Sequence, residues 1–150
     1  MNNKNQIQQL LNARQLSSDK EYELFENALE QLQGNINIED IYEICKVFYD
    51  DTKDDEVMFE VVHLIEQLQG EDYIKCIVLC SIDMIEAHNW AMLLNKRIIN
   101  TSEYLDNYID AIKKLNSYSK NKIWDLLIHI KNDNPKKFGE KVDLILEKTT

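Results

Sequence analysis

The chain has 150 residues, of which 44% are hydrophobic and 29% charged, with three glycines and one proline. That length suits one ordinary domain, residues 1–150, able to bury roughly 70% of its unfolded surface without a disulfide or metal. So few breakers exclude an all-β chain, which needs many tight turns, and a net charge of −10 works against nucleic acid and anionic membrane as partners.

The apolar period is helical from end to end. In "NQIQQLLNARQL", Ile7, Leu10 and Leu11 share one face. Ser18 and Glu21 have the spacing of a capping box, and a helix follows with Tyr22, Phe25, Leu29 and Leu32. Gly34 stops it, because glycine tolerates the left-handed conformation past a helix end. Asn37 is placed to cap a third helix carrying Ile41, Ile44, Cys45 and Phe48. After the polar break "YDDTKDDE", a fourth helix is expected from about Asp54 to Gln69, with Val57, Val61, Leu64, Ile65 and Leu68 on its apolar face and Gly70 closing it.

Tyr73, Ile74, Ile77 and Val78 belong to a fifth helix, which breaks near Ser81–Asp83. The sixth contains "NWAMLLNKRIIN". Asn100 and Glu103 repeat a capping-box spacing, so Asn100 is expected to cap a seventh helix carrying Tyr104, Tyr108, Ile112 and Leu115. An eighth carries Ile123, Leu126, Leu127 and Ile130. Pro135 suits the first position of a last helix, where its missing N–H costs nothing; that helix carries Phe138, Val142, Ile145 and Leu146. The expectation is an all-α chain of eight or nine short antiparallel helices. They would form stacked helical hairpins like an α-solenoid, or an irregular bundle.

The N-terminus lacks the basic start, apolar core and small-residue cleavage site of a signal peptide, and no apolar run reaches membrane-spanning length. A cytoplasmic location is the expectation. The three cysteines, Cys45, Cys76 and Cys80, form no framework and read as small hydrophobes in a reducing compartment. His63 lies three residues from both Glu60 and Glu66. A di-metal bundle would need a second such pair and two further carboxylates, so the expectation is no metal, no cofactor and no catalytic residue. His63 then reads as a half-buried, hydrogen-bonded side chain.

Charge is uneven along the chain. Residues 1–75 hold 6 Lys+Arg against 17 Asp+Glu, and residues 76–150 hold 11 against 10. The acidic run Asp50, Asp51, Asp54, Asp55 and Glu56 carries two compatible readings. Its last carboxylates can complement the positive end of the next helix, and the others can anchor Lys or Arg of a basic protein partner. Arg97 falls seven residues after Trp90, on the same helical face, which predicts a buried guanidinium paired with Asp50, Asp51 or Glu66.

"DDTKDDEVMFEVVHLIEQL", followed some twenty residues later by "HNWAMLLNKRIIN", resembles the immunity protein 30 family of bacterial polymorphic-toxin systems. The matching features are the Asp-rich joint, Glu-Val-Met-Phe, His63 and Glu66, Trp90-Ala91, the leucine pair, and Arg97-Ile98-Ile99-Asn100; the closing "NPKKF" is similar too. Ile99 stands where the family pattern has leucine. The resemblance implies a mostly helical fold, no catalysis, a gene beside a toxin gene, and binding that neutralises the cognate toxin. Motifs shared by members with different partners hold the fold, which assigns His63, Glu66, Trp90, Arg97 and Asn100 structural roles and leaves toxin contact to exposed acidic positions. The alternatives are a HEAT-like scaffold without a toxin partner and, more remotely, a metal-dependent helical enzyme.

Overall fold

The computed structural model describes residues 2–150 and is all-helical, with nine α-helices and no strand among them. The helices are α1 (Lys4–Ala13), α2 (Asp19–Leu32), α3 (Ile38–Cys45), α4 (Asp55–Glu66), α5 (Glu71–Ile82), α6 (His88–Ile99), α7 (Leu105–Lys113), α8 (Ser117–Asp133) and α9 (Pro135–Thr149). Short 3₁₀ turns at Ile85–Ala87 and Ser102–Tyr104 lead into α6 and α7. The chain divides into two compact units, one ending at Gln69 and one spanning Gly70–Thr150.

In the first unit, α1 packs on α2, and α4 packs on both α2 and α3. Ser18 caps α2, its hydroxyl accepting the Glu21 N–H at 3.2 Å. The Glu21 carboxylate turns back to Ser17, taking its N–H at 2.8 Å and its hydroxyl at 2.7 Å. Gly34 has φ +74°, the left-handed value expected past a helix end. Asn37 and Asp40 form a full capping box on α3. The buried face of α4 carries Met58, Val61, Val62, Leu64 and Ile65, while Val57 and Leu68 are only half-buried. The face is thus rotated from the one expected, toward the two helices, α2 and α3, on which α4 packs.

The bend between α1 and α2 contains the one non-glycine residue with positive φ among the described residues. Leu16 sits at φ +51° with its side chain buried. The left-handed region costs an L-residue roughly 1–2 kcal/mol, and burial of the leucine side chain offsets it by roughly 1.5–3 kcal/mol.

In the second unit, α5 packs on α6, α7 and α8, and α8 pairs with α9. Contacts between helices one and two apart in sequence are compatible with stacked hairpins. Its core holds Tyr73, Ile77, Leu94, Ile98, Ile112, Leu127, Ile130 and Val142. Asn134 caps α9 by accepting the Lys137 N–H at 3.2 Å, with Pro135 in the first turn. A buried polar chain crosses this core. Tyr108 Oη donates to Asn95 Oδ1 at 2.7 Å, Asn95 Nδ2 donates to Ser81 Oγ at 2.8 Å and to Ala91 O at 2.7 Å, and Ser81 Oγ donates to Ile77 O at 2.6 Å. Burial pushes the Tyr108 hydroxyl far above its ordinary pKa.

Candidate acidic partner surface

The acidic run lies between α3 and α4, and the structure divides it by role. Asp54 is the N-cap of α4: its Oδ1 accepts the Val57 N–H at 3.1 Å, and its Oδ2 accepts the Tyr22 hydroxyl of α2 at 2.7 Å. The tyrosine hydroxyl first, then the Val57 amide, hold the Asp54 carboxyl below the usual carboxylate range. The same hydrogen bond pushes the Tyr22 hydroxyl upward. Asp50 is half-buried, whereas Asp51, Asp55 and Glu56 are exposed.

The segment leading into α4 is tied to the α1–α2 bend along its length. Arg14 Nη1 donates to Lys46 O at 3.1 Å and Phe48 O at 3.4 Å, and the guanidinium lies 4.5 Å from the Tyr49 ring centre. Thr52 Oγ1 donates to Arg14 O at 2.8 Å, and the Lys53 N–H donates to Gln15 O at 2.9 Å. The left-handed Leu16 follows directly on these two acceptors. The exposed carboxylates of the run are therefore carried on a braced backbone.

Between α2 and α4, a groove of about 470 Å³ is lined by Glu26, Leu29, Glu30 and Gln33 of α2 and its end, and by Glu60 and His63 of α4. Glu26, Glu30 and Glu60 are exposed. Up to Gln69 the chain has 5 Lys+Arg against 15 Asp+Glu, and from Gly70 onward 12 against 12. The entire net charge of −10 thus belongs to the first unit.

Several expectations need correction. His63 is exposed rather than half-buried, its ring meeting Phe59 edge-on at 5.1 Å. Glu66, three residues on, is half-buried. Cys45 and Cys80 are buried as expected, but Cys76 is half-buried. Trp90 is in the core at 8% exposure, yet Arg97 is exposed, so it is not a buried guanidinium. Successive helical residues advance about 100°, which puts Arg97 about 20° to one side of Trp90. The buried arc of α6 runs the other way, through Ala91, Leu94, Asn95 and Ile98. Trp90 lies at its edge, where its long ring still reaches inward, and Arg97 lies just beyond.

Asn100 does mark a helix joint, but it ends α6 instead of capping α7. Its backbone is right-handed helical and its N–H donates to Lys96 O at 2.9 Å. The 3₁₀ turn Ser102–Tyr104 then separates it from Leu105, where α7 starts. The sequence reading missed the Ser81–Asn95–Tyr108 chain and the Arg14 ties. The one available signal for the first was Asn95, an amide set between Leu94 and the Ile98-Ile99 pair. Among the described residues, no three His, Cys, Asp or Glu side chains are grouped to hold a metal ion. Among the described residues, no single helix is long and apolar enough to cross a membrane.

The model of the family described as immunity protein 30 matches residues 12–108, well over half of the chain, and the chain belongs to that family. No curated protein and no solved structure matches it. The match begins within α1 and ends at Tyr108 in α7, so it takes in the braced acidic segment, the groove and α6. The family is generally non-enzymatic, and membership points to a toxin-neutralising role with a toxin as partner.

Proposed function

We propose that this protein, with all 150 residues acting as one cytoplasmic domain, neutralises a toxin domain by stoichiometric occlusion. Its acidic first unit meets a basic surface of the toxin. The observation that carries this reading is the confinement of the whole net charge to that unit, with Asp51, Asp55, Glu56, Glu26, Glu30 and Glu60 all exposed. Asp50 and Asp54 belong to the same surface, Asp54 chiefly as the group that fixes its geometry.

Two physical effects favour such a surface. Concentrated charge of one sign raises the rate of encounter with an oppositely charged partner and fixes its approach. A braced backbone loses little freedom on binding, so less of the contact energy is consumed in ordering. His63, Glu66, Trp90, Arg97 and Asn100 contribute through the fold, and no cofactor or metal takes part.

The test is association kinetics with the toxin encoded beside this gene. The on-rate should fall steeply with salt, because exposed charges are screened over roughly 10 Å at 0.1 M. Charge reversal at Asp51, Asp55 and Glu56 together should slow association about tenfold or more while the thermal melt stays near that of the parent. A rate indifferent to both salt and reversal would sink the electrostatic mechanism.

A further inference from the structure

Of the described residues that line the groove between α2 and α4, His63 alone can carry a positive charge. Glu26 and Glu30 stand one helical turn apart on α2, Glu60 and His63 on α4, and the buried Leu29 lies between them. Among the described residues, no lysine or arginine pairs with any of these three glutamates; ion pairs form at Glu43, Glu71, Asp133 and Asp143. No residue of α3, the other helix on which α4 packs, lines the groove, and Glu66, one turn beyond His63, is half-buried. The charge of the groove is therefore set by three carboxylates and one imidazole. His63 is exposed and meets Phe59 edge-on at 5.1 Å, a contact open to either protonation state.

We infer that His63 makes the acidic surface pH-sensitive: its protonation in mild acid puts a cation among the three glutamates and weakens the hold of the groove on a basic toxin. The inference rests on the proposed reading of this unit as the toxin-binding surface. Histidine is the side chain whose ordinary charge change falls between pH 5 and 8, whereas glutamates ordinarily stay ionised until the pH falls below about 5. Across that interval the imidazole is the group of the groove that changes charge, and the carboxylates around it stay as they are.

The effect runs in both directions. A lysine or arginine of the toxin set beside the imidazole favours its neutral form, so where His63 is partly charged, binding expels a proton. Because His63 is exposed, water and salt screen the repulsion, and the result is a graded loss of affinity, about threefold or more at low salt. The fold is untouched, since the contact with Phe59 does not depend on the charge.

Dissociation constants of the full chain with the toxin encoded beside this gene, measured at low salt from about pH 7.5 to about pH 5.5, test it. On acidification the parent should lose about threefold or more in affinity relative to His63→Gln, whose side chain stays neutral. His63→Lys, charged at every pH in the range, should bind at neutral pH as weakly relative to His63→Gln as the parent does in acid. Toxin groups, the carboxylates, and His88 and His129 of the second unit titrate alike in all three proteins, so the difference between variants isolates His63. Calorimetry at about pH 6 in two buffers of different ionisation heat should show the parent releasing more protons on binding than His63→Gln. Parent and His63→Gln curves that run parallel over the whole range overturn the inference, as does a parent that gains on His63→Gln in acid. Either result leaves the toxin reading standing if binding at neutral pH remains dependent on salt. A toxin that does not bind at neutral pH overturns both.

Discussion

Tyr22 and Asp54 join α2 to the first turn of α4 through one carboxylate. Asp54 Oδ2 accepts the tyrosine hydroxyl at 2.7 Å while Oδ1 accepts the Val57 N–H at 3.1 Å. The residue that starts α4 is therefore also the one that sets it against α2, whose Glu26 and Glu30 form the opposite wall of the acidic groove. Asp54→Ala should lower the melting temperature more than Tyr22→Phe, since it removes the cap as well as the interhelical bond. Circular dichroism melts of the two variants and the double variant give the comparison, and the double variant should be no worse than Asp54→Ala alone.

The same pair predicts a pH window. The Asp54 pKa is depressed in the folded chain, so its contribution is present above the unfolded value of about 3.9 and is lost as pH falls through the folded value. The Tyr22 pKa is raised, so its contribution is present below the unfolded value of about 10 and is lost as pH rises through the folded value. The stability difference between parent and Tyr22→Phe should be constant through neutral pH and shrink at both extremes. A difference that persists unchanged into strong acid and strong alkali would show that the bond is absent in solution.

Asn95 is fully buried and joins two hydroxyls, accepting from one and donating to the other. Asn95→Ala strands the Tyr108 hydroxyl and leaves Ser81 Oγ only its bond to Ile77 O, and the loss should be about 1–3 kcal/mol for the orphaned hydroxyl before any cavity is counted. Tyr108→Phe should cost less, about 1 kcal/mol, because Asn95 Nδ2 keeps its bonds to Ser81 and Ala91. Urea denaturation measures both. Equal losses would mean that the chain of bonds is not built as described.

Leu16 inverts a usual order. In most positions alanine is tolerated better than glycine, but at φ +51° alanine keeps the left-handed strain that glycine avoids. Both truncations lose the buried leucine, at about 2–5 kcal/mol. Leu16→Gly should nevertheless be more stable than Leu16→Ala by about 1 kcal/mol. Finding alanine the more stable of the two would argue against the left-handed backbone.

Arg97 and Trp90 should separate cleanly. Trp90→Ala removes a core side chain and should cost about 3–5 kcal/mol. Arg97→Ala changes an exposed position and should cost less, about 1 kcal/mol or below. A strongly destabilised Arg97→Ala would restore the buried guanidinium expected from the sequence.

That contrast also shows where sequence reading stops. Helical period and caps located all nine helices, because the amphipathic spacing, Ser18, Asn37, Gly34 and Pro135 act within a few residues of themselves. Period fixes which residues share a face but not where the buried arc ends, and Arg97 falls at that end. Asn100 has the spacing of a capping box, but α6 keeps its helical backbone through that residue, and a 3₁₀ turn occupies the positions a cap would serve. The acidic run was visible as charge. That Asp54 serves the fold while Asp51, Asp55 and Glu56 face outward depends on Tyr22 and Arg14, 32 to 38 residues away from the groups they hold. No local pattern reports a contact at that range.

The bracing of the segment before α4 bears on how a protease meets it. Lys53 sits in a polar, exposed stretch of the kind trypsin cuts, yet its own amide is tied to Gln15 O, and the preceding Thr52 side chain is tied to Arg14 O. Cleavage requires an extended backbone several residues long, and that conformation is reached here only after these bonds and the Arg14 contacts to Lys46 and Phe48 have opened. The Lys53–Asp54 bond should therefore survive limited digestion of the native chain. It should become a preferred cut in Arg14→Ala, so a single nick reports whether the acidic segment is held or loose.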